Sequence, residues 1–225
     1  MAACKICGCS GWFFPLSKAG LCHTCAHLVA MEVAQRRDAI RDSARLAEQT
    51  ADPHSKLARL DVMLSNLDAL AKFEERGIPT GEGAASPSQS LKAGKAQRDS
   101  LLIETAKKAL DDAMAKVQAA PSPEAKLALY NTLLLKLSEY KAKADDGGPL
   151  SALERKVKDS TIQIQLNIRL EKAREAERRK DGKAALKLYE EALTYLKASG
   201  MDAESRARHA VKINGRVKEL RGRRG

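Results

Sequence analysis

Apolar residues recur at intervals of three and four along most of this chain, which is the pattern of amphipathic helices. The clearest stripe follows Pro53, at Leu57, Leu60, Leu64, Leu67 and Ala71. Arg76-Gly77, with Pro79 just beyond, is a typical helix stop. A charged amphipathic segment over residues 26–50 precedes this stripe. Residues 28–76 are therefore predicted to form a helical hairpin.

The pattern changes over residues 77–98, which are rich in Gly, Ser, Ala and Pro and poor in large apolar side chains. This composition predicts a flexible linker and the best domain boundary in the chain. A second body begins near Asp99, with helical stripes up to Val117, over 123–144 and over 150–180. We expect residues 99–205 to form a helical bundle.

One segment of this second body is ambiguous between helix and strand. Residues 162–170 alternate strictly between apolar and polar, which is a strand signal. The flanks are dense in helix formers, and no other strand-like run in this body could pair with a strand here. We therefore predict that residues 161–170 are helical.

Composition supports a mainly α fold. Aromatic residues make up only 4% of the 225 residues, and Ala, Leu, Lys, Arg and Glu are abundant. The chain has no run of 18 or more apolar residues, and its N-terminus lacks the pattern of a signal peptide. From the sequence we expect no membrane span and a cytoplasmic location.

All five cysteines lie in the first 25 residues. Cys4 and Cys7 form one CxxC pair, Cys22 and Cys25 form another, and fourteen residues separate the pairs. Two such pairs supply four thiolates, the ligand set of a tetrahedral zinc ion. A closed shell of four thiolates leaves no position for substrate, so the sequence predicts structural zinc.

Residues 1–27 resemble the small treble-clef or zinc-ribbon fingers, in which a knuckle and a hairpin precede a second CxxC pair at the start of a helix. The match is carried by Gly20-Leu21-Cys22-His23-Thr24-Cys25, which runs directly into a helical segment. The resemblance implies a finger held by structural zinc. It leaves open whether Cys9 replaces Cys7, and whether His23 or His27 contributes.

The finger also holds the only aromatic cluster, Trp12, Phe13 and Phe14. At least one of these rings is expected to fill the core of so small a unit. An exposed ring in the cluster would offer a contact for a partner.

Near the C-terminus, the positions Ala173, Asp181-Gly182-Lys183, Ala185, Tyr189, Ala192 and Leu193 resemble a tetratricopeptide hairpin. In that family, small residues lie where two helices cross closely. The chain departs from the pattern at Ala176 and Lys197, and it has no clean adjacent copies of the segment. The resemblance implies one hairpin of the repeat type at the C-terminal end of the bundle.

The formal net charge of +11 is concentrated at the C-terminus. Residues 206–225 hold eight basic residues and one acidic residue, Glu219, which gives +7. We predict a basic C-terminal helix or tail that could contact nucleic acid or an acidic partner. Its basic residues are Arg206, Arg208, Lys212, Arg216, Lys218, Arg221, Arg223 and Arg224.

No common catalytic signature is present, such as GxSxG, HExxH or GxGxxG. The sequence therefore predicts a non-enzymatic zinc-binding adaptor or scaffold that binds a protein partner. The alternative is a regulator that binds nucleic acid through the finger and the basic C-terminus. The two differ in what should co-purify, which is protein in the first case and nucleic acid in the second.

Overall fold

A computed structural model describes residues 2–11, 15–81 and 85–222. It confirms a mainly α fold. The described residues form seven helices: α1 His23–Gln49, α2 Pro53–Glu75, α3 Pro87–Ala119, α4 Pro123–Lys143, α5 Gly148–Arg178, α6 Gly182–Ala198 and α7 Ala203–Gly222. The ambiguous segment 161–170 lies inside α5 and is helical, as predicted. None of these helices is both long and apolar enough to cross a membrane.

The chain divides into two compact units, Met1–Thr105 and Ala106–Gly225. In the first unit, α1 and α2 pack against each other as a hairpin. Asp52 caps α2 by accepting a hydrogen bond from the Ser55 N–H at 2.8 Å, and Pro53 follows in the first turn. The leucine stripe of α2 is buried, with Leu60 and Leu70 each only 2% exposed.

The prediction of a flexible linker over residues 77–98 is wrong for residues 87–98, because α3 begins at Pro87. Ser86 and Gln89 form a reciprocal cap, in which each side-chain oxygen accepts from the other residue's backbone N–H at 3.3 Å. The start of α3 is tied to α2, since Ser88 donates to Glu74 through both its backbone N–H and its hydroxyl.

The unit boundary also differs from the predicted one, because it falls inside α3 rather than in the linker. Gly94 lies where α3 approaches α2: a Cβ atom placed on it would come within 2.8 Å of Leu64. One turn later, Arg98 pairs with Asp61 at 3.4 Å. These contacts keep the first part of α3 on the N-terminal hairpin.

In the second unit, α4, α5, α6 and α7 pack in succession. Small residues form part of the core of the α5–α6 hairpin, where Ala173, Ala185 and Ala192 have no exposed surface. Tyr189 lies in the same core and is 5% exposed. The basic C-terminal segment is helical up to Gly222, and α7 buries an apolar face of Ile213, Val217 and Leu220.

Candidate metal centre

Four thiols converge at the N-terminus of the first unit. The sulfur atoms of Cys4, Cys7, Cys22 and Cys25 all lie within 4.8 Å of one another. A tetrahedron of sulfurs at about 2.3 Å from zinc has edges of about 3.8 Å. The Cys7 and Cys22 sulfurs already lie 3.9 Å apart. The cluster therefore needs only a small contraction to hold a metal ion.

The first cysteine pair is held by a tight turn. The Cys4 N–H donates to the Cys9 carbonyl at 2.9 Å, and the Gly8 N–H donates back to the Cys4 carbonyl at 2.9 Å. Gly8 has a φ of 73°, a left-handed backbone conformation that residues other than glycine rarely adopt. An isolated antiparallel bridge between Ala3 and Ser10 closes the loop. The turn directs Cys4 and Cys7 toward the same point.

The second pair belongs to the start of α1. Cys22 is the N-cap residue, and its sulfur accepts from the Cys25 backbone N–H at 3.5 Å. The Cys22 N–H in turn donates to the Cys4 sulfur at 3.4 Å. Backbone N–H groups at a helix start favour a negatively charged thiolate. Helix formation in α1 therefore places and supports two of the four ligands.

The thiols have very different acidities. The pKa of Cys4 is lowered to about 6, first by the hydrogen bond from the Cys22 N–H and then by those from Cys7 and Ile6. The pKa of Cys25 is raised to about 12 by hydrogen bonding to the Cys22 side chain and by burial. Four crowded sulfurs cannot all carry negative charge unless a cation balances them. The donor set therefore fits a soft divalent metal ion.

Three other residues near the motif lie outside this cluster. The group of convergent ligands consists of the four CxxC cysteines and does not include Cys9, His23 or His27. Cys9 is exposed, whereas Cys4, Cys22 and Cys25 are buried. The site is thus a set of four thiols of which only Cys7 is exposed.

The cysteine segment contacts the end of the α1–α2 hairpin at which α1 begins and α2 ends. The Lys5 ammonium donates to the Arg76 carbonyl at 2.9 Å and to the Gly77 carbonyl at 3.4 Å, where α2 ends. Leu21, next to the second cysteine pair, is 3% exposed and shares a core with Leu70 and Ile78. The cysteine segment therefore packs on the start of α1 and the end of α2 together.

A groove beside the metal centre has no counterpart in the sequence analysis. Leu28 and Met31 lie one to two turns into α1 and remain 58% and 50% exposed. They line a groove of about 760 Å³ that continues along α1 to Ala39 and reaches Asn66 of α2. The signal available from the sequence was the helical spacing, which places Leu28 and Met31 on a face of α1 nearly opposite to that of Val29 and Val33.

The predicted aromatic contacts, Trp12, Phe13 and Phe14, lie outside the described residues, as do Arg223 and Arg224. The other six basic residues of the C-terminal segment lie at different angles around α7 and do not form one stripe. Two of them are held in ion pairs. Arg216 pairs with Glu177 and Glu219, and Arg221 pairs with Glu190 at 2.8 Å.

Arg208 lies at 4.0 Å from Glu204, at the limit of an ion pair. Arg206 is partly buried, while Lys212 and Lys218 are exposed.

Comparison of the chain with protein-family models, with curated proteins and with solved structures finds no match.

Proposed function

We propose that this protein is a non-enzymatic adaptor in which a structural zinc ion fixes a helical hairpin that binds a partner protein. One observation carries the proposal: the exposed groove of Leu28 and Met31 begins in the same helix whose first turn carries Cys22 and Cys25. The groove combines the exposed apolar side chains of Leu28 and Met31 with the polar residues Glu32, Gln35, Arg36 and Asn66. Exposed apolar surface with a polar rim is typical of a protein-binding site.

The identity of the metal follows from the donor chemistry. Four thiolates in tetrahedral reach of one another suit zinc, and such a closed shell has a structural role. The cysteine segment then acts as a treble-clef-like finger whose helix is α1. Metal analysis of the purified protein should give one zinc per chain, and a stoichiometric iron content instead would contradict this assignment.

The second unit contributes helical hairpins to the same scaffold. The closely packed alanines of the α5–α6 hairpin support the resemblance to a single tetratricopeptide hairpin. The nucleic-acid alternative has weaker support, because Arg216 and Arg221 are engaged with acidic residues of the same unit.

The adaptor proposal is tested by co-purification. The full-length protein is purified from its native host, with Leu28→Asp as the test variant and Leu135→Asp as the control. Leu135 is a comparably exposed apolar residue, on α4, and is 68% exposed. We expect a stoichiometric partner protein that tolerates moderate salt with wild type and Leu135→Asp and is lost with Leu28→Asp. Co-purified nucleic acid without a partner protein would refute the proposal.

A further inference from the structure

The α1 groove lies on an open side of the α1–α2 hairpin. Within the residues that the structure describes, six large apolar side chains are exposed, and three of them lie on this side. Leu28 and Met31 belong to α1, and Val62 of α2 is 45% exposed. The Val62 carbonyl accepts from the Asn66 side chain, one turn further along α2, at 2.9 Å, so Val62 extends the α2 wall of the groove. Accessible apolar surface is therefore concentrated here.

The first part of α3 covers a different side of α2. Gly94 of α3 packs against Leu64. Leu64 and Asn66 are two residues apart in a helix, so their side chains point about 160° apart around its axis. The groove, which Asn66 lines, is therefore left open by α3.

The exposed apolar side chains lie toward the two ends of the groove. Arg36 of α1 donates to Asn66 of α2 at 3.3 Å, which places these two residues at the same level of the antiparallel hairpin. Leu28 lies about two turns to one side of this level, and Val62 lies about one turn to the other side. An occupant that contacts both spans about 18 Å, the length of a helix of about twelve residues.

The middle of the groove is polar but carries no net charge. Its charged residues are Glu32 and Arg36, which pair with each other at 2.7 Å. Both bonds from Arg36 end on Oε1 of Glu32, and Oε2 has no partner within the described part of the chain. The complement of this groove is therefore an uncharged surface with a hydrogen-bond donor near its centre.

The shape of the groove suits a helix. Its α1 wall is formed at intervals of three and four residues, by Leu28, Glu32, Gln35 and Ala39. Rows of side chains with this spacing form the ridges and grooves into which a second helix packs. An extended segment would need a sheet edge, and the described residues contain only the isolated bridge between Ala3 and Ser10.

A second copy of this chain does not supply such a helix. Two α1 grooves that face each other across a two-fold axis are both concave and do not fill one another. The other exposed large apolar side chains of the described residues, Ile6, Leu135 and Val211, lie on three separate elements and form no stripe. The occupant is therefore a segment of another protein.

We infer that the partner protein fills the α1 groove with an amphipathic α-helix of about three turns. Aliphatic side chains near its two ends cover Leu28 and Val62, and an asparagine or glutamine near its middle donates to Glu32. One polar residue in an otherwise apolar contact fixes the register of a helix. The inference rests on the proposed function and adds the secondary structure and the uncharged contact face of the partner segment.

The test selects peptides on the full-length, zinc-loaded protein. A phage-displayed library of random fourteen-residue peptides is selected on wild type, and the selected sequences are measured as fluorescein-labelled synthetic peptides by fluorescence anisotropy. The test variants are Leu28→Asp and Val62→Asp, one at each end of the groove. Leu135→Asp and Val211→Asp are the matched controls, because they make the same changes at exposed positions outside it. Thermal melts and zinc content establish that each variant is folded.

We expect selected peptides with two aliphatic residues about two turns apart and an amide residue between them. Each test variant should weaken their binding about tenfold or more, and the controls should leave it unchanged, because only the former place a charge in the apolar contact. A proline in the middle of the peptide should weaken binding at least about tenfold, since it breaks a helix. Affinity should change little between low and moderate salt, because the groove has no net charge.

The inference is overturned if no selected peptide depends on Leu28, or if binding falls steeply with salt. Peptides that depend on Leu28 but tolerate the central proline would show an extended occupant, which overturns the helix and leaves the proposed function standing. A wild-type dimer that Leu28→Asp dissociates in size-exclusion chromatography would overturn the inference by identifying a second copy as the occupant. The proposed function fails separately, if co-purification yields no partner protein that Leu28→Asp removes.

Discussion

Removal of the metal should unfold the cysteine segment and leave the second unit intact. Among the described residues of 2–22, Leu21 is the only fully buried aliphatic side chain. Its burial is worth about 1.5–3 kcal/mol. Fixing the backbone of each ordered residue costs about 1–2 kcal/mol, so this burial offsets the ordering of only about one to three residues.

Among the contributions of the described residues of this segment, the binding of the metal is the largest. Binding of structural zinc to four thiolates contributes about 10–16 kcal/mol at neutral pH. The α1–α2 hairpin also buries residues outside the core that it shares with the cysteine segment, among them Leu57, Leu60 and Leu64. We therefore expect chelation to release the cysteine segment and the start of α1 while α2 stays folded.

Hydrogen exchange measured by mass spectrometry, before and after chelation of the full-length protein, checks this expectation. The amides of Cys4, Gly8 and Leu21 donate hydrogen bonds in the folded segment and should lose protection. Peptides from α5 and α6 should exchange as before, which provides an internal control. Unchanged protection of the cysteine segment, after metal analysis has shown that the ion is gone, would refute the reasoning.

Cysteine variants separate ligands from bystanders in the same assay. Cys25→Ser removes a buried member of the cluster and should abolish stoichiometric metal and give the exchange pattern of the chelated protein. Cys9→Ser is the matched control and should retain both the metal and the protection. Loss of metal with Cys9→Ser, or its retention with Cys25→Ser, would contradict the ligand assignment.

Three further predictions concern the helices. Gly215→Ala should raise the free energy of unfolding in urea by about 0.5–1 kcal/mol, because nothing lies within 4 Å of the added Cβ. Gly94→Ala should not raise it, because the added Cβ would clash with the buried Leu64. Equal effects of the two substitutions would contradict the packing of α3 on α2. The pKa of Asp52 is lowered by hydrogen bonds from the Ser55 side chain and backbone. The contribution of Asp52 to the free energy of unfolding is therefore complete above its unfolded-state pKa of about 4, and it is lost as the pH falls through its folded-state pKa. Asp52→Asn should reduce the fall in melting temperature between pH 6 and pH 2, as measured by thermal melts. An unchanged fall would show that Asp52 does not contribute to it. Tyr189→Phe should cost about 1 kcal/mol by removing its bond to Glu177, as measured by urea unfolding.

The helices of this chain were predictable where local signals and apolar periodicity agreed. Pro53 after Asp52, and Pro123 after Ser122, mark helix starts that the structure confirms. Residues 161–170 were also predictable, because a strand there would have had no partner. The cysteine spacing favoured the four thiols that converge but left open whether Cys9 replaces Cys7; in the structure Cys7 belongs to the cluster and Cys9 does not.

The linker prediction failed because it relied on composition. Residues 87–98 have few large apolar side chains, but they need few, since Gly94 allows α3 to approach α2 closely. The signal that could have corrected it was Ser86 and Gln89, three residues apart, which is the spacing of a capping box.

The metal centre and the α1 groove are physically coupled through one helix. Cys22 and Cys25 fix the first turn of α1, and Leu28 and Met31 extend from the next two turns. If that turn frays when the metal leaves, the groove loses its first wall, and a partner that binds the folded groove must supply the ordering free energy itself. By linkage, such a partner must also raise the affinity of the cysteines for the metal. A higher metal affinity, measured at equilibrium against a competing chelator in the presence of the partner, is therefore the thermodynamic counterpart of a partner that binds the folded groove.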